Sequence, residues 1–94
     1  MTYPEATRQA IREAYARSVN GQARQIDQVV LILSDGHWHS ARELAIKVGH
    51  RFGGRIFELE RAGVAIERER DPETPAGKNW WRYRFAREGQ ERLF

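Results

Sequence analysis

Arg51, Arg55, Glu58 and Arg61 fall within one short segment, GHRFGGRIFELERAG (49–63). Read as a helix, their spacing of i, i+4, i+7 and i+10 sets them along one side. A guanidinium carries a planar fork of donors that fits a phosphate or the edge of a guanine. The same spacing also allows ion pairs with Glu58 or Glu43, so both uses stay open. Gly53 and Gly54 stand inside this segment. Each glycine in a helix interior costs roughly 1 kcal/mol relative to alanine. Gly53 flanks the apolar stripe and could let the helix pack tightly on its neighbour. Gly54 faces outward and could let the helix front approach phosphates or base edges, where free N–H groups favour anions. A third reading starts the helix only at Gly54.

A second group of cations lies further on. Arg68 and Arg70 belong to VAIERER (64–70), Arg82 and Arg84 to WWRYRFA (80–86), and Lys78 to the loop DPETPAGKN (71–79). Lys78 and Arg82 are candidates for contact with a phosphate backbone. Glu67, Glu69, Asp71 and Glu73 offer the alternative of a charged hairpin that protects its edges. Of the adjacent Trp80 and Trp81, one is expected in the core. The other is expected outside, packed on an arginine stem, open for stacking on a base or sugar, or marking a protein interface. His37 and His39 could share a strand face as two metal ligands, but a third ligand is missing and the chain has no cysteine; no metal and no cofactor are expected. There is no phosphate loop, no nucleophile with a matched base and no carboxylate pair in a pocket, so no enzyme activity is expected. Ser40 is better read as a helix cap.

The elements that must hold these residues follow from periodicity. Pro4 and Glu5 open a helix running to about Ser18, with Ile11, Ala14 and Tyr15 as a thin apolar stripe. Ile26, Val29, Val30 and Leu33 mark a second helix, ended by Ser34–Gly36. HWHS is a short extended connection with Trp38 pointing inward. Ser40 and Glu43 form a capping-box pattern before a helix with Ala41, Leu44, Ala45 and Val48 buried. Gly49 ends it. The next helix runs to Ala62, with Phe52, Ile56 and Leu59 inward and Gly63 as a left-handed cap. Beyond it the period changes to two: Val64 and Ile66 share one face, and so do Trp81, Tyr83 and Phe85. Two antiparallel strands result.

Particular residues carry a family resemblance. ILSDGHWHSARELAIKVG resembles the opening of many bacterial and phage winged helix-turn-helix domains, and RFGGRIFELERAGVAIERE is similar to the helix that precedes the wing in the small phage group. WWRYRF looks like the second strand of that wing. The resemblance covers about residues 25–86. It implies an α+β, mainly α fold: a three-helix core with a two-stranded β-hairpin wing, here with an extra N-terminal helix. It further implies double-stranded DNA binding, with residues from about 51 to 62 in the major groove and the wing (68–84) on the backbone. The implied DNA-binding residues are Arg51, Gly54, Arg55, Glu58, Arg61, Lys78 and Arg82. Glu58 and Glu60 dilute the basic face.

Composition is compatible with this picture and does not by itself select it. The chain of 94 residues suggests one domain. Its net charge is +3, all of it carried by residues 37–94, since the first 36 residues balance. The expected division is 1–22, N-terminal helix and connector; 23–86, winged-helix domain; 87–94, charged tail with Leu93 and Phe94 as anchors. The longest apolar run, VVLIL, is far too short for a membrane span, and the N-terminus lacks the apolar core of a signal peptide. No membrane partner and a cytoplasmic location are expected. A transcriptional regulator or DNA-associated accessory factor is the leading expectation. The rival is a protein-interaction module, with the N-terminal helix forming a homodimer or docking on a protein partner.

Overall fold

Helix α1 (Glu5–Val19) starts behind Pro4, which serves as its N-cap with Glu5 in the first turn. The computed structural model describes residues 2–88; the expected anchoring by Leu93 and Phe94 lies outside the described residues. Of the expected stripe on α1, Ala14 and Ile11 face the core and Tyr15 does not. Thr7 and Ala14 are fully buried, with Ala10 and Ile11 partly so, while Tyr15 is 64% exposed. Small side chains at i, i+3 and i+7 let α1 lie close along α2 (Gln25–Leu33), which a tyrosine on that line would prevent. α2 buries Val29, Val30 and Leu33, as its spacing requires. Each such side chain contributes about 1.5–3 kcal/mol on burial.

Three further segments complete the helices and begin the sheet: β1 (His39–Ser40), α3 (Ala41–Lys47) and α4 (Phe52–Arg61). Ser40 caps α3, its Oγ accepting from Glu43 N–H at 3.0 Å. The Glu43 carboxylate does not complete the capping box; it turns to His39 and Lys47 instead. α4 buries Ile56 and Leu59, and half-buried Phe52 meets Tyr83 edge-on with ring centroids 6.1 Å apart. Gly63 adopts φ +96°, and Val64 N–H returns to the Leu59 carbonyl at 3.0 Å, which stops the helix.

β2 (Ile66–Arg70) and β3 (Trp81–Phe85) pair antiparallel with Ile66 opposite Phe85 and Arg70 opposite Trp81. The sheet has three strands, in the order β1–β3–β2. His39 and Ser40, expected as a plain connection, pair with Tyr83 and Arg82 and add the third strand. The fold is therefore a small α+β structure, mainly helical, with four helices and a three-stranded antiparallel sheet. Its core joins Ala14, Val29, Leu33, Leu44, Ile56 and Phe85, so α1 belongs to the same core as the rest. No described helix is long and apolar enough to cross a membrane.

Candidate nucleic-acid interface

α3 and α4 are joined by a four-residue turn, Val48–Arg51, in which Gly49 has φ +128°. An L side chain at that angle is strained, so glycine sets how sharply α4 leaves α3. Phe52 N–H donates to the Gly49 carbonyl at 3.2 Å and locks the entry. α4 begins at Phe52, ahead of Gly54, so the late-start reading is overturned. The tight-packing reading of Gly53 fails too. A Cβ added at Gly53 or Gly54 meets nothing within 4 Å, and neither glycine has positive φ. Both stand exposed at the front of α4. No intramolecular contact explains either one; what they leave is open space before the first turn of a helix.

Around that space the candidate residues differ in their engagement. Arg51 is exposed at the N-cap of α4 and makes no ion pair among the described residues. Arg61 is exposed in the last turn, with its guanidinium 5.7 Å from the Phe57 ring centroid and no acid partner among the described residues. Arg55 is half-buried. It pairs with Glu58 at 3.1 Å, and its Nε is buried without a hydrogen-bond partner. Exposed pairs of this kind contribute about 0–1 kcal/mol, so Glu58 orients Arg55 more than it stabilises the fold. Phe57, 59% exposed on the outer face, was absent from the expected site. A large apolar side chain three residues after Gly54 was visible in the sequence; its position outside the Phe52–Ile56–Leu59 stripe was the signal.

The sheet shows the opposite treatment of cations. Arg82 pairs with Glu69 directly across the strands, and Arg84 with Glu67 at 3.3 Å. Both guanidinia also lie over Trp38, at 4.8 and 4.4 Å from the ring centroid. Trp38, expected to point inward, is half-buried under these arginines and outside the core cluster. Arg68 pairs with Glu60 of α4 and lies 5.6 Å from the Tyr83 ring centroid. Arg82 is thus engaged within the fold. Lys78 is exposed in the loop with no ion pair among the described residues. Neither adjacent tryptophan is in the core: Trp80 is half-buried with Arg42 4.5 Å from its ring centroid, and Trp81 is exposed.

Two polar clusters went unnoticed in the sequence. Asp27 is 1% exposed and accepts from Arg17 Nε at 2.8 Å, Arg17 Nη2 at 2.7 Å and Arg24 N–H at 2.9 Å. The bond from Arg17 holds its carboxyl far below the usual carboxylate range despite burial. This clamp ties the end of α1 to the start of α2. His39 is the second centre. Its Nε2 faces Asp35 at 2.9 Å and its Nδ1 faces Glu43 at 2.7 Å, and Lys47 reaches Glu43 at 3.0 Å. Burial opposes charge on His39, but the bonds to Asp35 and Glu43 outweigh it and raise the pKa. An imidazolium can donate from both nitrogens, which suits two carboxylates. The four-residue repeat Asp35, His39, Glu43, Lys47 was the available signal. His37 is exposed and reaches the cluster only through its backbone N–H, which donates to Asp35 Oδ1 at 2.9 Å.

No family model matches the chain, and neither a curated protein nor a solved structure matches it.

Proposed function

We propose that this chain binds double-stranded DNA as a winged helix-turn-helix protein, acting as a transcriptional regulator or a DNA-associated accessory factor. α4 enters the major groove, and the β2–β3 hairpin lies on the backbone. The observation that carries this reading is the front of α4. Two exposed glycines leave open space there, beside Arg51, which has no acid partner among the described residues. An unneutralised guanidinium beside the N-terminus of a helix suits phosphate, and glycine lets the backbone come close. Arg55, oriented by Glu58, is the candidate base reader; Arg61 and Lys78 supply charge to the phosphates. The order of α3, the tight turn, α4 and the hairpin supports the same reading.

The test is fluorescence anisotropy on a pool of mixed-sequence duplexes over a salt series. Binding that weakens steeply with salt is expected, because each neutralised phosphate releases counterions. Absence of binding at low salt would remove the DNA reading. A specific observation then favours the second one: Ile46 is 85% exposed in an open groove of about 430 Å³ on α3, and Phe57 is exposed on α4. Such residues fit contact with a protein partner.

A further inference from the structure

The three tryptophans are treated unequally, and the difference points to a ligand. Trp38 is covered by the guanidinia of Arg82 and Arg84, and Trp80 by that of Arg42. Trp81 has neither a cation nor an aromatic ring against it among the described residues, and it is 44% exposed. Yet a guanidinium stands directly across the strands. Arg70 is the register partner of Trp81, and its Nη2 donates to the Lys78 carbonyl at 3.1 Å rather than covering the indole. Neither Arg70 nor Lys78 has an acid partner among the described residues.

The loop that holds this group is tied to itself. Asp71 N–H donates to the Trp80 carbonyl at 2.8 Å, and Lys78 N–H to the Pro75 carbonyl at 3.1 Å. Asp71 Oδ1 accepts from Glu73 N–H at 2.9 Å and so caps the turn. The loop that joins Arg70 to Trp81 is therefore closed by its own hydrogen bonds. Strand geometry also fixes the address of Trp81. Tyr83, two residues along the same face and about 6.8 Å away, meets Phe52 in the first turn of α4. Trp81 therefore shares the sheet face on which Tyr83 meets α4.

We infer that Trp81, with Arg70 opposite it in the strand register and the exposed Lys78 in the adjoining loop, is a stacking site for an unpaired base, so that this chain prefers duplex DNA with a single-stranded extension to blunt duplex. The inference rests on the duplex-binding reading of α4. A π-face beside positive charge fits a nucleotide, which offers a base to stack and a phosphate to pair. An apolar protein partner would use the indole and leave both cations buried without partners, which is costly.

The experiment is fluorescence anisotropy with one duplex sequence, either blunt or carrying a short single-stranded extension. Wild type is compared with Trp81→Leu, which keeps bulk but loses the π-face, and Trp81→Phe, which keeps a ring. Thermal melting is recorded for each. The extended duplex should bind about tenfold more tightly than the blunt one, the scale of one stacked base. Trp81→Leu should lose that preference while keeping blunt-duplex affinity and melting temperature, and Trp81→Phe should keep most of it. Equal affinity for the two duplexes, or a preference that survives Trp81→Leu, would overturn this inference and leave duplex binding standing. Binding to neither DNA would overturn both. If Trp81→Leu lowers the melting temperature, quenching of indole fluorescence by the extended but not the blunt duplex decides the matter, and equal quenching overturns the site.

Discussion

Arginine has two opposite roles in this molecule. Where α1 meets α2, Arg17 and Arg24 converge on a buried carboxylate, and Asp27 receives donors from both. At the front and outer side of α4, Arg51 and Arg61 meet no acid among the described residues. The first set ties elements of the fold together; the second is left unneutralised within it. Arg82 and Arg84 of the sheet fall with the first set, since they pair across strands and lie over Trp38, while Arg70 at the end of β2 falls with the second. A count of basic residues does not separate these groups, which is why a net charge of +3 was weak evidence for any partner.

The largest effect should come from breaking the clamp. Asp27→Ala leaves Arg17 without its buried partner and is expected to cost about 3 kcal/mol, read by urea unfolding. An unchanged midpoint would show that the clamp is ornamental. Because the folded Asp27 carboxyl titrates below its unfolded value of about 4, its contribution is complete above that pH and is lost as the pH falls toward the folded value. Acid should therefore release α1 from α2 in wild type, with a shallower acid slope in the variant.

On α4 the effects should fall on binding instead. Arg55→Ala should weaken the preferred duplex by about 1–3 kcal/mol and relax sequence preference, with equal loss on every duplex counting against base reading. Lys78→Ala should weaken all duplexes alike and reduce the salt slope by about one; a slope identical to wild type removes it from the phosphate contacts.

The glycines sharpen the contrast further. Gly54→Ala meets open space at an ordinary helical φ, so the fold should gain about 0.5–1 kcal/mol. If duplex affinity falls while stability rises, the glycine serves the ligand; if both rise, that use is excluded. The smallest effect concerns His39. Its folded pKa is raised, so its contribution is complete below about pH 6.5 and is lost as the pH rises through the folded value. Stability should decline gently across that window and His39→Gln should flatten the slope; parallel pH profiles for the two proteins would exclude the Asp35–His39–Glu43 contacts as its source.

Periodicity alone set the helices and the hairpin. Val29, Val30 and Leu33 on one helix, Ile56 and Leu59 on another, and Ile66 opposite Phe85 were legible because a buried face repeats at the period of its own element. Gly49 and Gly63 were legible as helix ends because few other residues take positive φ. The candidate site was legible as a set of residue types on one side of α4. Tertiary structure alone decided which cations are engaged. Arg17 finds Asp27, Arg68 finds Glu60 and Arg82 finds Glu69 through packing that brings separate elements together, and such pairing has no local period. The same holds for the third strand, for the burial of Thr7 in place of Tyr15, and for the uncovered ring of Trp81. Local periodicity marks the face an element can turn inward; which line of that face packs, and what its charges meet, depends on residues distant along the chain.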